Sequence, residues 1–377
     1  MDTNPKLRIS NAYSFDDISI VPGTVTIDPD KVTTDFCIGS YKFSIPIIAA
    51  AMDAITSPKF IQELNNLGGL GVMNLEGIQT RYKNPDETLK KIINSSPLQA
   101  TKVLQKLYSS SIQQELIKER INEIKSNGTT CAVSITPGKV NELAPIAIDS
   151  GIDILVIQST VTTATYISDK ESTLILSDLI KESPIPVIVG NCVTYETAME
   201  LIEAGASGLL IGVGPGAACT TREVTGVGIP QVTATMNCST ARDDYFKKTG
   251  KYIPIITDGG IRTGGDICKS LVSGADAVML GTPLAQSSEA PGKGFNWGMA
   301  SPHPDLPRGT RIDIGTKCSL KKLLFGPASV HNGTQNFIGA LKVCMGMLGT
   351  KAIKEMHNSE IVISPSLKTE GKSYQIK

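Results

Sequence analysis

The stretch Pro254-Ile-Ile-Thr-Asp-Gly-Gly-Ile-Arg-Thr-Gly-Gly-Asp-Ile-Cys-Lys-Ser-Leu-Val-Ser-Gly-Ala-Asp-Ala-Val-Met-Leu-Gly281 decides the fold. It opens with a short apolar run, Pro254–Thr257, that ends in the polar turn Asp258-Gly-Gly260. Residues 265–272 then space their apolar side chains as one face of a helix and stop by Gly274, before a second apolar run ends at Gly281. Strand, polar turn, helix, glycine and strand make up a parallel β/α unit, whose crossover helix must lie outside the sheet.

The same pattern recurs upstream. Ile45–Ala50, Gly69–Met73, Thr130–Ile135, Asp153–Ile157, Pro186–Gly190 and Gly208–Gly212 are further apolar runs separated by helical stretches. One of these stretches, Thr194–Ala204, has a threonine at its probable cap and stops at Gly205. With the two runs above, the strands number eight, which predicts an α/β protein built as a (β/α)8 TIM barrel. Catalytic groups of such barrels sit at the C-terminal ends of the strands. Those ends hold Met52-Asp53, Asn74, Thr136, Gln158-Ser159, Asn191, the loop from Gly212, Asp258-Gly-Gly260 and Gly281-Thr282.

Composition restricts the classes of function. Lys and Arg total 36 against 36 Asp and Glu, a balance that argues against nucleic-acid and membrane partners. No apolar run approaches a membrane span, and the start of the chain lacks a signal core, so a cytoplasmic enzyme is expected. Eight cysteines without CxxC or zinc spacing read as reduced thiols, and three scattered histidines suggest no metal cluster. The 377 residues suit a single catalytic barrel domain, 1–377, with a helical insertion over 75–128 and a flap over 293–322. Within the insertion, 84–93 and 112–124 carry charged, helix-favouring patterns.

One cysteine stands apart. Gly212-Val-Gly-Pro-Gly-Ala-Ala-Cys-Thr-Thr-Arg222 delivers Cys219 on a glycine-rich loop into polar surroundings. Such a loop is a poor way to build a core and a good way to aim a thiol, although a cysteine is more often a small buried hydrophobe. The glycines at 260 and 281 follow the seventh and eighth strands, where barrels commonly bind phosphate, and their alternative role is in tight turns.

The loop, continued through Glu223-Val-Thr-Gly-Val-Gly-Ile-Pro-Gln231, resembles the cysteine loop of the IMP dehydrogenase / GMP reductase family. Ser14-Phe-Asp-Asp17, Ala51-Met-Asp53, Gly68-Gly-Leu-Gly-Val72, Val187-Ile-Val-Gly-Asn191, Asp258-Gly-Gly-Ile-Arg262 and Val278-Met-Leu-Gly281 occur in the family's order. The resemblance implies that Cys219 adds to purine C2 of a nucleoside monophosphate, with Thr221 positioning or deprotonating water or ammonia. It further implies that Asp258 accepts from the ribose hydroxyls, that Gly260, Gly281 and Thr282 hold the 5′-phosphate, and that Gly298 and Met299 meet the purine. NAD would lie by Gln158, Ser159, Asn191, Gly212 and Gly214, and K+ could bind the backbone carbonyls of Gly214, Gly216 and Cys219. Family members form tetramers, sometimes stacked as octamers, so a homotetramer is expected.

Four departures from the family pattern shape the expectations. Ala217 stands where many members have serine, which removes one phosphate hydrogen bond. Gln158 replaces an aspartate that meets the nicotinamide ribose. The segment 75–128 occupies the place of regulatory CBS modules, so nucleotide control through such modules should be absent. In the flap, neither tyrosine nor glutamate occurs between Gly294 and Lys322. That unmet glutamate requirement of the reductases favours oxidation of IMP to XMP, with Arg308 or Arg311 as water activator and Glu289 as the alternative carboxylate. NADPH-dependent deamination of GMP and a non-catalytic nucleotide-binding paralogue are the competing readings.

Overall fold

The computed structural model describes residues 10–166, 174–298 and 311–364. Eight parallel strands close into a barrel: β1 (Ile47–Ala49), β2 (Leu70–Asn74), β3 (Ala132–Ile135), β4 (Ile154–Gln158), β5 (Val187–Cys192), β6 (Gly208–Ile211), β7 (Ile255–Asp258) and β8 (Ala277–Leu280). Closure is made by β8 on β1, in the register Val278 with Ile47, Met279 with Ile48 and Leu280 with Ala49. The (β/α)8 architecture predicted from the eight apolar runs is the one observed. Nearly every strand residue is buried, because side chains pointing inward fill the barrel and those pointing outward meet the helices. Strands covered on both faces are therefore written as continuous runs of Ile, Val and Leu.

The outer helices are α1 (Pro58–Asn66), α2 (Gln114–Lys125), α3 (Val140–Asp149), α4 (Leu176–Glu182), α5 (Tyr195–Glu203), α6 (Gln231–Thr249), α7 (Gly264–Val272) and α8 (Phe337–Leu348). Local chemistry sets several of their starts. Ser57, Thr194 and Thr263 each accept a backbone N–H of the first turn of α1, α5 and α7 respectively. Between β2 and α2 run three more helices, Ile78–Arg81, Pro85–Ile93 and Pro97–Tyr108. Helix α2 packs against both α1 and α3 and so occupies a place in the ring, which leaves residues 78–108 as the added material.

Four antiparallel ribbons accompany the barrel among the described residues. Ile18–Ile20 pairs with Ile361–Ile363, Phe36–Ile38 with Tyr41–Phe43, Thr165–Tyr166 with Leu174–Ile175, and Phe295–Trp297 with Arg311–Asp313. The last is the one that matters for function, because its two strands bracket the segment expected to form the flap. Among the described residues no helix is long and apolar enough to cross a membrane.

Candidate active site

The cysteine loop leaves β6 and is sutured by Arg222. Its Nε donates to the Val213 carbonyl at 2.9 Å and its Nη2 to that of Ile229 at 2.6 Å, tying the two ends of the loop together. Gly214 and Gly228 lie flat on this side chain; a Cβ on either would come within 2.5 or 2.6 Å of it. The loop so held presents Cys219, half-buried, with Sγ 3.2 Å from Thr221 Oγ1. A thiol can donate to that hydroxyl, and a thiolate can accept from it, so the pair suits both states of a nucleophile.

On the facing side stands Asp258, the last residue of β7. Gly259 and Gly260 turn the chain at φ +87° and +76° and pack on Pro215, so the strand end and the cysteine loop share one wall. Asp258 Oδ2 accepts from Asn191 Nδ2 at 2.8 Å and from Gln158 Nε2 at 3.0 Å. Gln158 Nε2 also reaches Asn191 Oδ1 at 3.0 Å. Asn191 is aimed there by a register shift between β5 and β6, at which Gly190 pairs with Leu210 and Cys192 with Ile211. Because both amides donate to Oδ2, Oδ1 remains to accept from a ligand. Burial pushes the Asp258 carboxyl up to about 6, against the lowering effect of the two amide hydrogen bonds.

Cys219, Thr221, Asp258, Gly260, Gly281, Thr282 and Gly298 all line one cavity of about 520 Å³, a size ordinary for a small-molecule site. Arg262, on the same wall, makes a two-pronged pair with Asp16 at 2.8 and 3.0 Å and bonds to Asp266, fastening the N-terminal segment beside the strand-seven turn. Asn296 also lines the cavity. It is buried, its Nδ2 donates to Thr282 Oγ1 at 3.2 Å, and its Oδ1 has no partner. Among the described residues that oxygen is a buried acceptor without a hydrogen-bond donor. No periodicity or motif in the sequence singles out this asparagine.

Other expected residues are placed differently. Met299 and Arg308 lie outside the described residues. Arg311 is not over the cysteine: its Nη1 donates to the carbonyls of Ile92 and Ile93, both at 2.6 Å, and its guanidinium stacks on Phe295 at 4.3 Å. A guanidinium spent on two carbonyls and a ring pins the ribbon and is not available to a water at Cys219. Glu289 caps the turn before Leu320, accepting its N–H at 2.8 Å, and does not line the cavity.

Of the five residues expected at NAD, only Gln158 lines the cavity. Ser159 Oγ donates to the Val161 carbonyl at 2.6 Å, Asn191 serves Asp258, Gly212 is packed against Gln231 and the Asp258 carbonyl, and Gly214 lies on Arg222. Gln158 fits a nicotinamide ribose or carboxamide through Oε1, since its N–H groups are already committed. The Gly216 carbonyl accepts the Cys219 N–H at 2.9 Å. Among the described residues no cluster of His, Cys, Asp or Glu could hold a metal ion.

Comparison with known proteins bears on this geometry. The family model of the IMP dehydrogenase / GMP reductase domain matches residues 12–300. An uncharacterized oxidoreductase of Mycobacterium tuberculosis is 36% identical over 360 residues, 93% of this chain and 96% of its own. The inosine-5′-monophosphate dehydrogenase of Cryptosporidium parvum is 30% identical over 391 residues, covering 93% of this chain and 91% of its own. A crystal structure of an IMP dehydrogenase/GMP reductase-like protein from Corynebacterium glutamicum superposes with a TM-score of 0.89 at 36% identity, over 94% of this chain and 95% of that one. By sequence and by structure, the chain belongs to the IMP dehydrogenase / GMP reductase family.

Proposed function

We propose that this protein is a cysteine-dependent oxidoreductase of purine nucleoside monophosphates that oxidises IMP to XMP with NAD. The observation that carries the reading is the single cavity shared by Cys219, with Thr221 at 3.2 Å, and Asp258, with Oδ1 unspent. Asp258 accepts from the ribose hydroxyls, Gly260, Gly281 and Thr282 receive the phosphate, and Gly298 borders the base. The Cys219 thiolate adds to purine C2, forming the S–C bond, and the C2 hydrogen departs with its electron pair. Gln158 would hold the oxidised nicotinamide, which would supply the acceptor for that hydride. The resulting thioimidate is hydrolysed: water adds at C2, the C–S bond breaks, and the thiol and XMP are released. Thr221, its hydroxyl 3.2 Å from the sulfur, orients the attacking water. With Arg311 committed to the ribbon, the arginine that aids this step is Arg308.

The carboxylate relay required for reductive deamination finds no support, since Glu289 is spent on the Leu320 N–H. Nicotinamide absorbance followed with IMP plus NAD+, and separately with GMP plus NADPH, tests the assignment. NADH formation in the first mixture is expected; faster NADPH consumption with ammonia release in the second would overturn it.

A further inference from the structure

The helices at 78–108, part of the insertion expected in place of the family's regulatory modules, carry a buried polar chain that runs to the rim of the cavity. Tyr108, the last residue of helix Pro97–Tyr108, donates its hydroxyl to Asp53 Oδ2 at 2.6 Å and accepts from Trp297 Nε1 at 3.0 Å. All three side chains are buried, at 5%, 2% and 0% exposure. Asp53 Oδ1 is taken by the Ile78 N–H at 3.0 Å, and Gly77 abuts the carboxylate so closely that no side chain could stand there. Each end of this chain borders the pocket. Met52, beside Asp53, lines it, and so do Asn296 and Gly298 on either side of Trp297. The second strand of the same ribbon is fixed to the same segment by Arg311 on the Ile92 and Ile93 carbonyls.

We propose that the 78–108 segment is a built-in brace for the nucleotide pocket, with Tyr108 as a positioning residue that holds Asn296 and Gly298 at the barrel mouth through Trp297. This rests on the reading of the pocket as a nucleoside monophosphate site. A neutral phenol that donates to one neighbour and accepts from the other fixes both in a single orientation. The alternative is ordinary core packing, with no consequence for the ligand.

Trp297 is the single tryptophan of the chain, so its emission reports on the rim directly. Tyr108→Phe keeps the ring and removes both hydrogen bonds. It is expected to shift the tryptophan emission to longer wavelength, to speed amide exchange over residues 295–298, and to raise the IMP dissociation constant and KM about tenfold with kcat within about twofold. Trp297→Phe leaves the Tyr108–Asp53 bond intact; it should raise KM similarly, and the double variant should be no worse than Tyr108→Phe, because the two changes break one link. Should Tyr108→Phe fold poorly, Trp297→Phe decides the matter by KM and calorimetry alone. Wild-type affinity and KM in both variants, whatever the emission does, would reduce the chain to packing and overturn the brace. A KM rise without any change in emission or exchange in Tyr108→Phe would overturn it too. If wild-type protein fails to bind IMP in calorimetry, the nucleotide reading falls and the brace's role with it; binding by the wild type with unaltered variants sinks the brace alone.

Discussion

On the proposed reading, Cys219 carries the reaction and Asp258 the recognition. Replacing Cys219 by Ala removes the nucleophile and none of the phosphate or ribose partners, so detectable turnover should vanish while IMP binding stays within about tenfold, or about 1.4 kcal/mol. Steady NADH production by this variant would contradict covalent catalysis. Asp258→Ala should do the reverse, since each ribose hydrogen bond to a charged acceptor is worth about 1.5–3 kcal/mol, or about 10- to 150-fold in the dissociation constant measured by calorimetry. Binding should also fail in acid. The ribose hydroxyls need an ionised acceptor, and because burial has pushed Asp258 up to about 6, affinity should fall about tenfold per pH unit below that value. The sign for folding is opposite: with the native pKa raised above 3.8, the carboxyl's contribution to stability is fully present below about pH 4 and is lost as the pH rises through 6. Cys219 stands out in the sequence because its glycine-rich loop is a poor way to build a core, and Asp258 because its place in the resemblance to the family implies a ribose contact. Asn296 and Tyr108 do not, because one is defined by an unpaired buried atom and the other by a partner 189 residues away.

Among the elements, the ribbon of Phe295–Trp297 and Arg311–Asp313 shows what a pattern of residues leaves out. The barrel strands were legible since they are buried on both faces and bounded by glycine or small polar residues. Each ribbon strand has three residues, too few for a period of two to register, and its partner lies across a long stretch of chain. The sequence therefore offers Arg311 as a water activator in the flap, whereas in the fold it is the rivet between the ribbon and helix Pro85–Ile93. Arg311→Ala should cost about 1–3 kcal/mol in urea unfolding, the range for charged hydrogen bonds lost to partly buried carbonyls. In rapid mixing with IMP and NAD+ it should show no burst, because hydrolysis of the thioimidate does not depend on it. Arg308→Ala should instead give a stoichiometric burst of NADH and then a slow steady rate, with a purine adduct on Cys219 visible by intact-protein mass spectrometry. A burst in Arg311→Ala would return that residue to the chemistry.

The molecule as a whole divides its work between the two ends of the barrel. Toward the C-terminal ends of the strands Cys219 and Asp258 line the cavity; at the N-terminal ends Asp276 and Arg242 are closed on each other. Asp276, immediately before β8, accepts from Arg242 at 3.0 Å, from the Tyr252 hydroxyl at 2.6 Å and from the Ile255 N–H at 2.8 Å. Arg242, on α6, is 1% exposed and also donates to the Gly274 carbonyl, so the network joins α6, the turn after α7 and the starts of β7 and β8. Removing one partner from such a buried pair strands the other charge, at about 3–5 kcal/mol, and burial shields the pair from salt. Arg242→Met should thus lower the urea midpoint by that equivalent in 0.1 M and in about 1 M salt alike, and leave KM for IMP within about twofold. A change in KM comparable to that of Asp258→Ala would mean that the two ends are coupled through the barrel. A loss of stability confined to low salt would mean that Arg242 acts as a surface charge instead of a buried link across four elements.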